Sequence, residues 1–367
     1  MTHRSLLAIN RGSSSVKFAL FTFHSQPLSI MRGTIETSDH QRVARRVLEQ
    51  IEPDLREGSL AAIGHRVVHG GPLYHDPQQV TAEFVEQLRR LVPFAPNHLP
   101  DEIALIEAFG RLRPDVPQMA CFDTAFHHDL PEVARRLPIP QSYDAVGVRR
   151  YGFHGLSYAF LIQELYRIAG PAARGKVVLA HLGSGSSLAA VDGGRCVDTS
   201  MGFTPIGGVV MSTRSGDLDP GVLTYIARAE GLTPDQLEDV ASHRSGLRGI
   251  SGASGDMRTL LAAGIADEAS RLAVSMYCYE IKKRIGSYAA ALGGIETLVF
   301  AGGIGEHAPP VRAQICHGLE CLGVDLDQER NSTNASVIST AASRVAVRVI
   351  PTDEEVIIAQ AAHRLLH

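Results

Sequence analysis

Arg66, Asp123, His154, Arg214 and Glu354 each stand where an apolar run gives way to small or turn-forming residues. Such residues can handle anions. An arginine fork grips a carboxylate or a phosphate through two parallel hydrogen bonds. Arg66 lies near the end of the apolar run 60–68, just before His69-Gly70-Gly71, and Arg214 sits among Ser212, Thr213, Ser215 and Gly216, where its fork is unobstructed. The plainer alternative for each is a surface ion pair, with Asp217 or Asp219 as partner for Arg214. Asp123 follows the run 118–122 and precedes His127 and His128. It either orients a catalytic partner, acts near a metal, or caps a turn, where Asp is frequent. His154, bracketed by Gly152 and Gly155 after Arg149-Arg150, either stabilises a charged transition state or is a satisfied structural histidine. Glu354 follows the run 345–350 and a turn. It suits Mg²⁺, which keeps several waters and takes few carboxylates; otherwise it is a helix N-terminal charge favoured by the macrodipole.

Phosphate oxygens also need N–H donors. Residues 6–21 read as strand, tight turn, strand, with Gly12-Ser13-Ser14-Ser15 at the bend between Asn10 and Lys17. A turn rich in N–H groups beside a lysine suits phosphate oxygens. It lacks the Gly-Lys-Ser/Thr ending of a P-loop, and a Ser-rich hairpin with a solvated Lys17 is the alternative. The pattern returns over 177–191: His181 aligns with Asn10, Gly183 with Gly12, Ser184 with Ser13, Ser186 with Ser15. Third strands are expected at 28–33 and 196–200. Two distant copies imply two similar domains rather than a solenoid, with a ligand in the cleft between them, where ligand sites are common. Residues 297–307 read as strand, glycine turn (Gly302-Gly303-Ile304-Gly305) and helix, a nucleotide-type backbone approach.

The positioning elements follow from pattern. Helices are expected within 39–58 and over 81–92, 101–109, 157–169, 266–292 and 356–366. Prolines 93, 96 and 100 force a rigid loop, Asp219-Pro220 marks a helix start, and 245–252 reads as a loop. Lys282-Lys283-Arg284 reads as a solvated helix face.

At 367 residues the prior is about two domains. A net charge of −4 argues against a nucleic-acid binder. No apolar run approaches the roughly 20 residues of a membrane helix, and the N-terminus lacks a signal pattern. The five cysteines form neither a zinc spacing nor an even disulfide set. A cytoplasmic protein with reduced cysteines is expected.

Taken together, the segments 10–17, 64–71, 122–127, 151–155, 181–187, 199–205, 213–220, 245–252, 302–306 and 351–355 resemble the acetate kinase family, which includes propionate kinases. The resemblance runs along nearly the whole chain. It implies an α/β, duplicated actin/sugar-kinase-like (ribonuclease H-like) two-domain fold with an interdomain active-site cleft. The expected N-terminal domain is 1–147 plus 354–367, and the nucleotide-binding C-terminal domain is 148–353. The resemblance further implies a homodimer, Mg²⁺ (or Mn²⁺), and transfer of the ATP γ-phosphoryl group to acetate or another short-chain carboxylate.

Roles carry over where motifs match. Arg66, His154 and Arg214 would surround the transferring phosphoryl group, with Asp123 orienting Arg214 or helping at the metal. Asn10 and Glu354 would serve Mg²⁺. Val68, Asn97, Phe153 and Pro205, with Arg66, would meet the acyl substrate, and His98 would stand behind it. Lys17, His181, Leu182, Gly183, Ser184, Gly185, Asp256, Met257, Arg258, Gly302, Gly303, Ile304, Gly305 and Glu306 would line the nucleotide. The sequence departs from the family pattern at Asn97, in place of a leucine of the methyl pocket, and at Ser184 and Asp353, each in place of an asparagine. Leu156 and Tyr158 replace a threonine and a histidine. A propionate or butyrate kinase is therefore one alternative. An ATP-driven binding protein of the same core is another, which the joint presence of Arg66, His154 and Arg214 disfavours.

Overall fold

The computed structural model describes residues 4–12, 15–37, 39–55 and 59–366. They form two compact units. Unit 1 takes Met1–His128, Phe153–Phe160 and Asp353–His367; unit 2 takes Asp129–Gly152 and Leu161–Thr352.

Unit 1 is built on six strands: β1 (Arg4–Arg11), β2 (Val16–Thr22), β3 (Ser29–Ile35), β4 (Ser59–Val67), β5 (Gln78–Gln79) and β6 (Gln118–Phe122), in the order β3-β2-β1-β4-β6-β5. β1, β4 and β6 are mutually parallel, and β2, β3 and β5 run antiparallel to their neighbours. β1 reads as a continuous apolar run because both its faces are buried. Leu7 and Ile9 enter a core shared with Val43, Val47, Ile51, Leu105 and Phe109. Leu6 and Ala8 enter a second core with Ile357, Ile358, Ala361 and Ala362 of the final helix, Glu354–Leu365. Small residues line that second face, and at Gly64 a Cβ would stand 2.4 Å from Ile358 Cγ2. This close approach sets the height of the helix N-terminus over the sheet, and with it Glu354.

Unit 2 repeats the plan. β7 (Val177–Leu182), β8 (Ser186–Asp192), β9 (Arg195–Thr199), β10 (Thr297–Ala301) and β11 (Ala346–Val349) lie in the order β11-β10-β7-β8-β9. Reversed, that is the order of β3-β2-β1-β4-β6, with the same parallel and antiparallel pairings. Its core packs Val178, Ala180, Leu188 and Phe300 with Tyr277, Ile281 and Ile285 of the helix Glu268–Leu292. Asp267 caps that helix through the N–H of Ala269, and Gly293 ends it at φ 66°. Asp219-Pro220 starts a helix as expected, Pro220–Glu230. Among the described residues no helix is long and apolar enough to cross a membrane. Cys121, Cys196, Cys278, Cys316 and Cys321 are free thiols.

The expected loop at 245–252 is instead the helix Gly246–Ser251. No side-chain cap announces it. Its first N–H groups are satisfied from outside: Leu247 donates to Met211 O at 2.8 Å and Arg248 to Ser212 O at 2.9 Å. A tertiary hydrogen bond has replaced the local signal that a sequence can display.

Gly64→Ala is expected to lose about 1–3 kcal/mol of stability, because the added methyl overpacks the β4–helix contact. Chemical denaturation of both forms checks it, and Ile358→Ala in the same chain should recover part of the loss.

Candidate active site

The C-terminal ends of β1, β4 and β6 deliver Asn10, Arg66 and Asp123 to one edge of unit 1, as ligand-binding α/β sheets do. Arg66 Nη2 donates to Asp123 Oδ2 at 2.6 Å, and Nη1 donates to Arg11 O at 2.9 Å and lies 3.6 Å from Glu102 Oε1. Burial disfavours the charge on Arg66, but Asp123, Glu102 and Glu354 outweigh it and raise its pKa further. Neither a surface ion pair nor a turn cap describes these two residues: Asp123 is fully buried and Arg66 nearly so.

Asp123 also anchors the loop that carries His154. Its Oδ2 accepts from His154 N at 3.2 Å, and its backbone oxygen accepts from Gly155 N at 2.7 Å. A Cβ at Gly155 would stand 2.2 Å from that oxygen, so the glycine is required for the approach. His154 has φ 58°, a left-handed conformation that costs a non-glycine residue of order 1–3 kcal/mol and is usually tolerated at functional positions. His127 Nε2 donates to Phe153 O at 3.0 Å. Burial lowers the His127 pKa to about 4, so it holds the loop as a neutral donor.

Glu354 opens the final helix. Asn10 Nδ2 donates to Glu354 Oε2 and to Glu355 Oε1, both at 2.8 Å. With both amide hydrogens spent, Asn10 Oδ1 is left as an acceptor. Burial and the nearby Asp123 push the Glu354 pKa up to about 7. Asp123 Oδ1 is buried and accepts no hydrogen bond among the described residues. Carboxylate and amide oxygens of this kind are the donors a hard divalent cation takes while keeping part of its water shell, although no three His, Cys, Asp or Glu side chains come together as a metal set among the described residues.

In unit 2, β7 leads into Gly183, whose N–H donates to Gly185 O at 3.0 Å and Ser186 Oγ at 3.3 Å. Ser186 Oγ is tied to Tyr277 OH at 2.8 Å, so the turn is fixed to the core helix. Leu182 is buried, His181, Gly183 and Gly185 are half-buried, and Ser184 is exposed. Gly302 begins the short helix Gly302–His307 at φ 76°, and a Cβ there would meet Leu182 O at 2.7 Å. The start of this short helix therefore packs directly on Leu182, the residue before the Gly183 turn. Glu306 Oε1 accepts from Gly302 N at 2.8 Å and Thr352 N at 3.2 Å. Asp256 caps Met257–Ala263 through the N–H of Arg258; Met257 is buried and Arg258 extends into solvent. Arg214 donates to Pro205 O at 3.2 Å.

Of the other expected residues, Val68 N donates to Glu102 Oε2 at 2.9 Å, and Val68 and Phe153 are buried. Lys17 and Asn97 are exposed, and His98 is half-buried. Ser13 and Ser14, the centre of the first phosphate turn, lie outside the described residues. The partner the structure gives Asp123 is Arg66. Three contributors escaped the sequence reading. Glu102 and Arg32 act within unit 1, and Arg312, wholly buried, donates to Gly305 O at 2.7 Å, Glu306 O at 3.1 Å, Asn331 and Asn334. Only an acidic residue on an otherwise apolar helix face, as at Glu102, could have hinted at one of them.

Comparison with known proteins decides the family. The acetokinase family model matches residues 34–360. An acetate kinase of Rhodopseudomonas palustris is 43% identical, with 98% of each chain covered. The propionate kinase PduW of Salmonella typhimurium is 41% identical over 98% of this chain and 96% of the relative. This chain belongs to the acetokinase family. It is a phosphotransferase with a carboxyl group as acceptor. The crystal structure of Porphyromonas gingivalis acetate kinase superposes with a TM-score of 0.86 at 34% identity, covering all of both chains. That of a propionate kinase from Francisella tularensis gives 0.88 at 33%, covering 98% and 99%. The acetokinase fold thus carries the duplicated sheets described above.

Glu102 provides a pH test of this acetokinase site. Burial raises its pKa from 4.5 to about 7, against the opposing pull of Arg66. Between those values the folded protein holds a proton that the unfolded chain has released, so this contribution to stability is full at low pH and is lost as pH rises through about 7. Glu102→Gln, which keeps the acceptor for Val68 N, should therefore gain stability relative to wild type as pH goes from 5 to 8. The gain should reach order 1–3 kcal/mol. Paired thermal melts across that range measure it, and a constant difference would show that Glu102 does not bind the proton.

Proposed function

We propose that this acetokinase catalyses reversible, Mg²⁺-dependent transfer of the ATP γ-phosphoryl group to acetate, giving acetyl phosphate and ADP. The observation that carries the reading is Arg66: a buried guanidinium, locked by Asp123 at a strand end, beside an under-neutralised pocket of carboxylate and amide oxygens. An acetate oxygen attacks the γ-phosphorus as the bond to the ADP oxygen breaks, and the bonding pair leaves with ADP. The acceptor is already an anion at neutral pH, so no strong base is needed. Arg66 and Arg214 neutralise charge on the equatorial oxygens, the main task in such transfers. His154, held by Asp123, donates to the same group. Asn10, Glu354 and the open oxygen of Asp123 would hold the metal, directly or through water. The metal would supply neutralisation of the phosphate charge and a fixed geometry for it. The turns at His181–Gly185, Asp256–Arg258 and Gly302–Glu306, with Lys17, would receive the nucleotide. Family resemblance supports a cytoplasmic homodimer.

Propionate is the second acyl substrate, a reading favoured by the propionate kinases among the relatives. Val68, Phe153, Pro205 and Asn97 would meet the acyl chain. Asn97 is exposed. A lost methyl contact is worth about 1–3 kcal/mol, which moves selectivity without abolishing activity.

Arg66→Ala and Arg214→Ala should each lower kcat by about 10³-fold or more, with native circular dichroism. Near-normal turnover in either would remove that arginine from the mechanism. Chelation by EDTA should stop ADP formation, and Mg²⁺ or Mn²⁺ should restore it. Asn97→Leu should raise kcat/KM for acetate and propionate relative to glycolate. Unchanged ratios across the panel would mean that Asn97 does not meet the acyl chain.

A further inference from the structure

Arg32, on β3, has no part in the proposed reaction, yet it reaches the N-terminus of the final helix, 321 residues away in sequence. Its guanidinium clasps Asp353, with Nη1 to Oδ1 at 3.1 Å and Nη2 to Oδ2 at 2.5 Å. The same Nη1 lies 3.5 Å from Glu355 Oε2. Glu355 Oε1 accepts from Asn10 Nδ2, which also donates to Glu354 Oε2. An unbroken relay therefore runs Arg32, Glu355, Asn10, Glu354, all within unit 1.

Three consecutive carboxylates, Asp353, Glu354 and Glu355, crowd this helix start. Left alone they would repel one another and compete for any cation. Arg32 takes two of them. Asp353 is kept turned to cap the helix through Val356 N, and Glu355 is kept turned to Asn10. Glu354 is the carboxylate that remains without a guanidinium of its own in this triplet. The Asn10 amide, its two hydrogens fixed by Glu355 and Glu354, has its Oδ1 orientation set as a result.

We propose that Arg32 is a positioning residue for the divalent cation: through Glu355 it orients Asn10, and by occupying Asp353 and Glu355 it leaves Glu354 as the ligand. The inference rests on the assignment of Asn10 and Glu354 to the metal. Residues that orient metal ligands typically contribute 10–100-fold to metal affinity. Folding should depend on Arg32 far less, because its side chain is 43% exposed and exposed ion pairs contribute little to stability.

The test is Mn²⁺ binding to the full-length protein in the presence of ADP, followed by electron paramagnetic resonance, with thermal midpoint and steady-state kinetics alongside. Arg32→Met should weaken Mn²⁺ binding about tenfold or more and raise the KM for metal–ATP more than it lowers kcat, with a nearly unchanged midpoint. Arg32→Lys should recover part of the affinity, and Glu355→Gln should reproduce the loss. Asp353→Asn, which keeps the cap, should change affinity less than Glu355→Gln. Glu354→Gln separates the two levels. If it weakens Mn²⁺ and Arg32→Met does not, the positioning role is wrong. If Glu354→Gln itself leaves Mn²⁺ affinity intact, the metal assignment fails first. A fall in midpoint that accounts for the whole effect of Arg32→Met would make the residue merely structural and overturn the proposal.

Discussion

The buried Asp123 carboxylate is the constraint on which the rest of unit 1 depends. Shielded from water, its polar oxygens must be matched by donors. The structure meets that demand with Arg66 and with the backbone N–H of His154, and the carboxylate's own main-chain oxygen takes the N–H of Gly155. One acid thus orients a cation and strains a histidine into the left-handed region. Among the described residues its second oxygen, Oδ1, is unmatched. An orphaned carboxylate oxygen beside a paired guanidinium suits a charged ligand better than a purely structural ion pair.

Electrostatic crowding extends the argument. Glu102 and Glu354 both have pKa values near 7, burial being the largest cause in each. A site made of half-willing carboxylates around one guanidinium has a charge that answers to what binds. In phosphoryl transfer to a carboxylate both reactants are anions. Alignment and neutralisation then matter more than proton transfer, and a buried guanidinium such as that of Arg66 is suited to both.

Unit 2 solves a different problem with a different buried cation. Arg312 is wholly buried, and its hydrogen bonds run to oxygens of Gly305, Glu306, Asn331 and Asn334. Burial draws its pKa down to about 10. It fixes the C-terminal carbonyls of Gly302–His307, while Glu306 fixes the first N–H of the same helix. A six-residue helix is too short to hold its shape by its own hydrogen bonds. Its geometry is imposed from both ends.

The sequence by itself determined the local grammar. Alternating and continuous apolar runs marked the paired hairpins, Asp219-Pro220 marked a helix start, and the repeated hairpin announced the duplicated sheets seen in β3-β2-β1-β4-β6 and β9-β8-β7-β10-β11. It also placed Arg66, Asp123 and Glu354 at element ends, because strand termini and helix starts have compositional signatures. Tertiary structure alone decided which of them are partners. The helix Gly246–Ser251 carries no N-terminal side-chain cap, since its first N–H groups are satisfied by Met211 and Ser212. Arg32 and Glu355 stand 323 residues apart, and Arg312 reads in sequence as an ordinary helical arginine. Pairing of charges depends on distance and dielectric after folding, and neither is encoded in the spacing of residues along the chain.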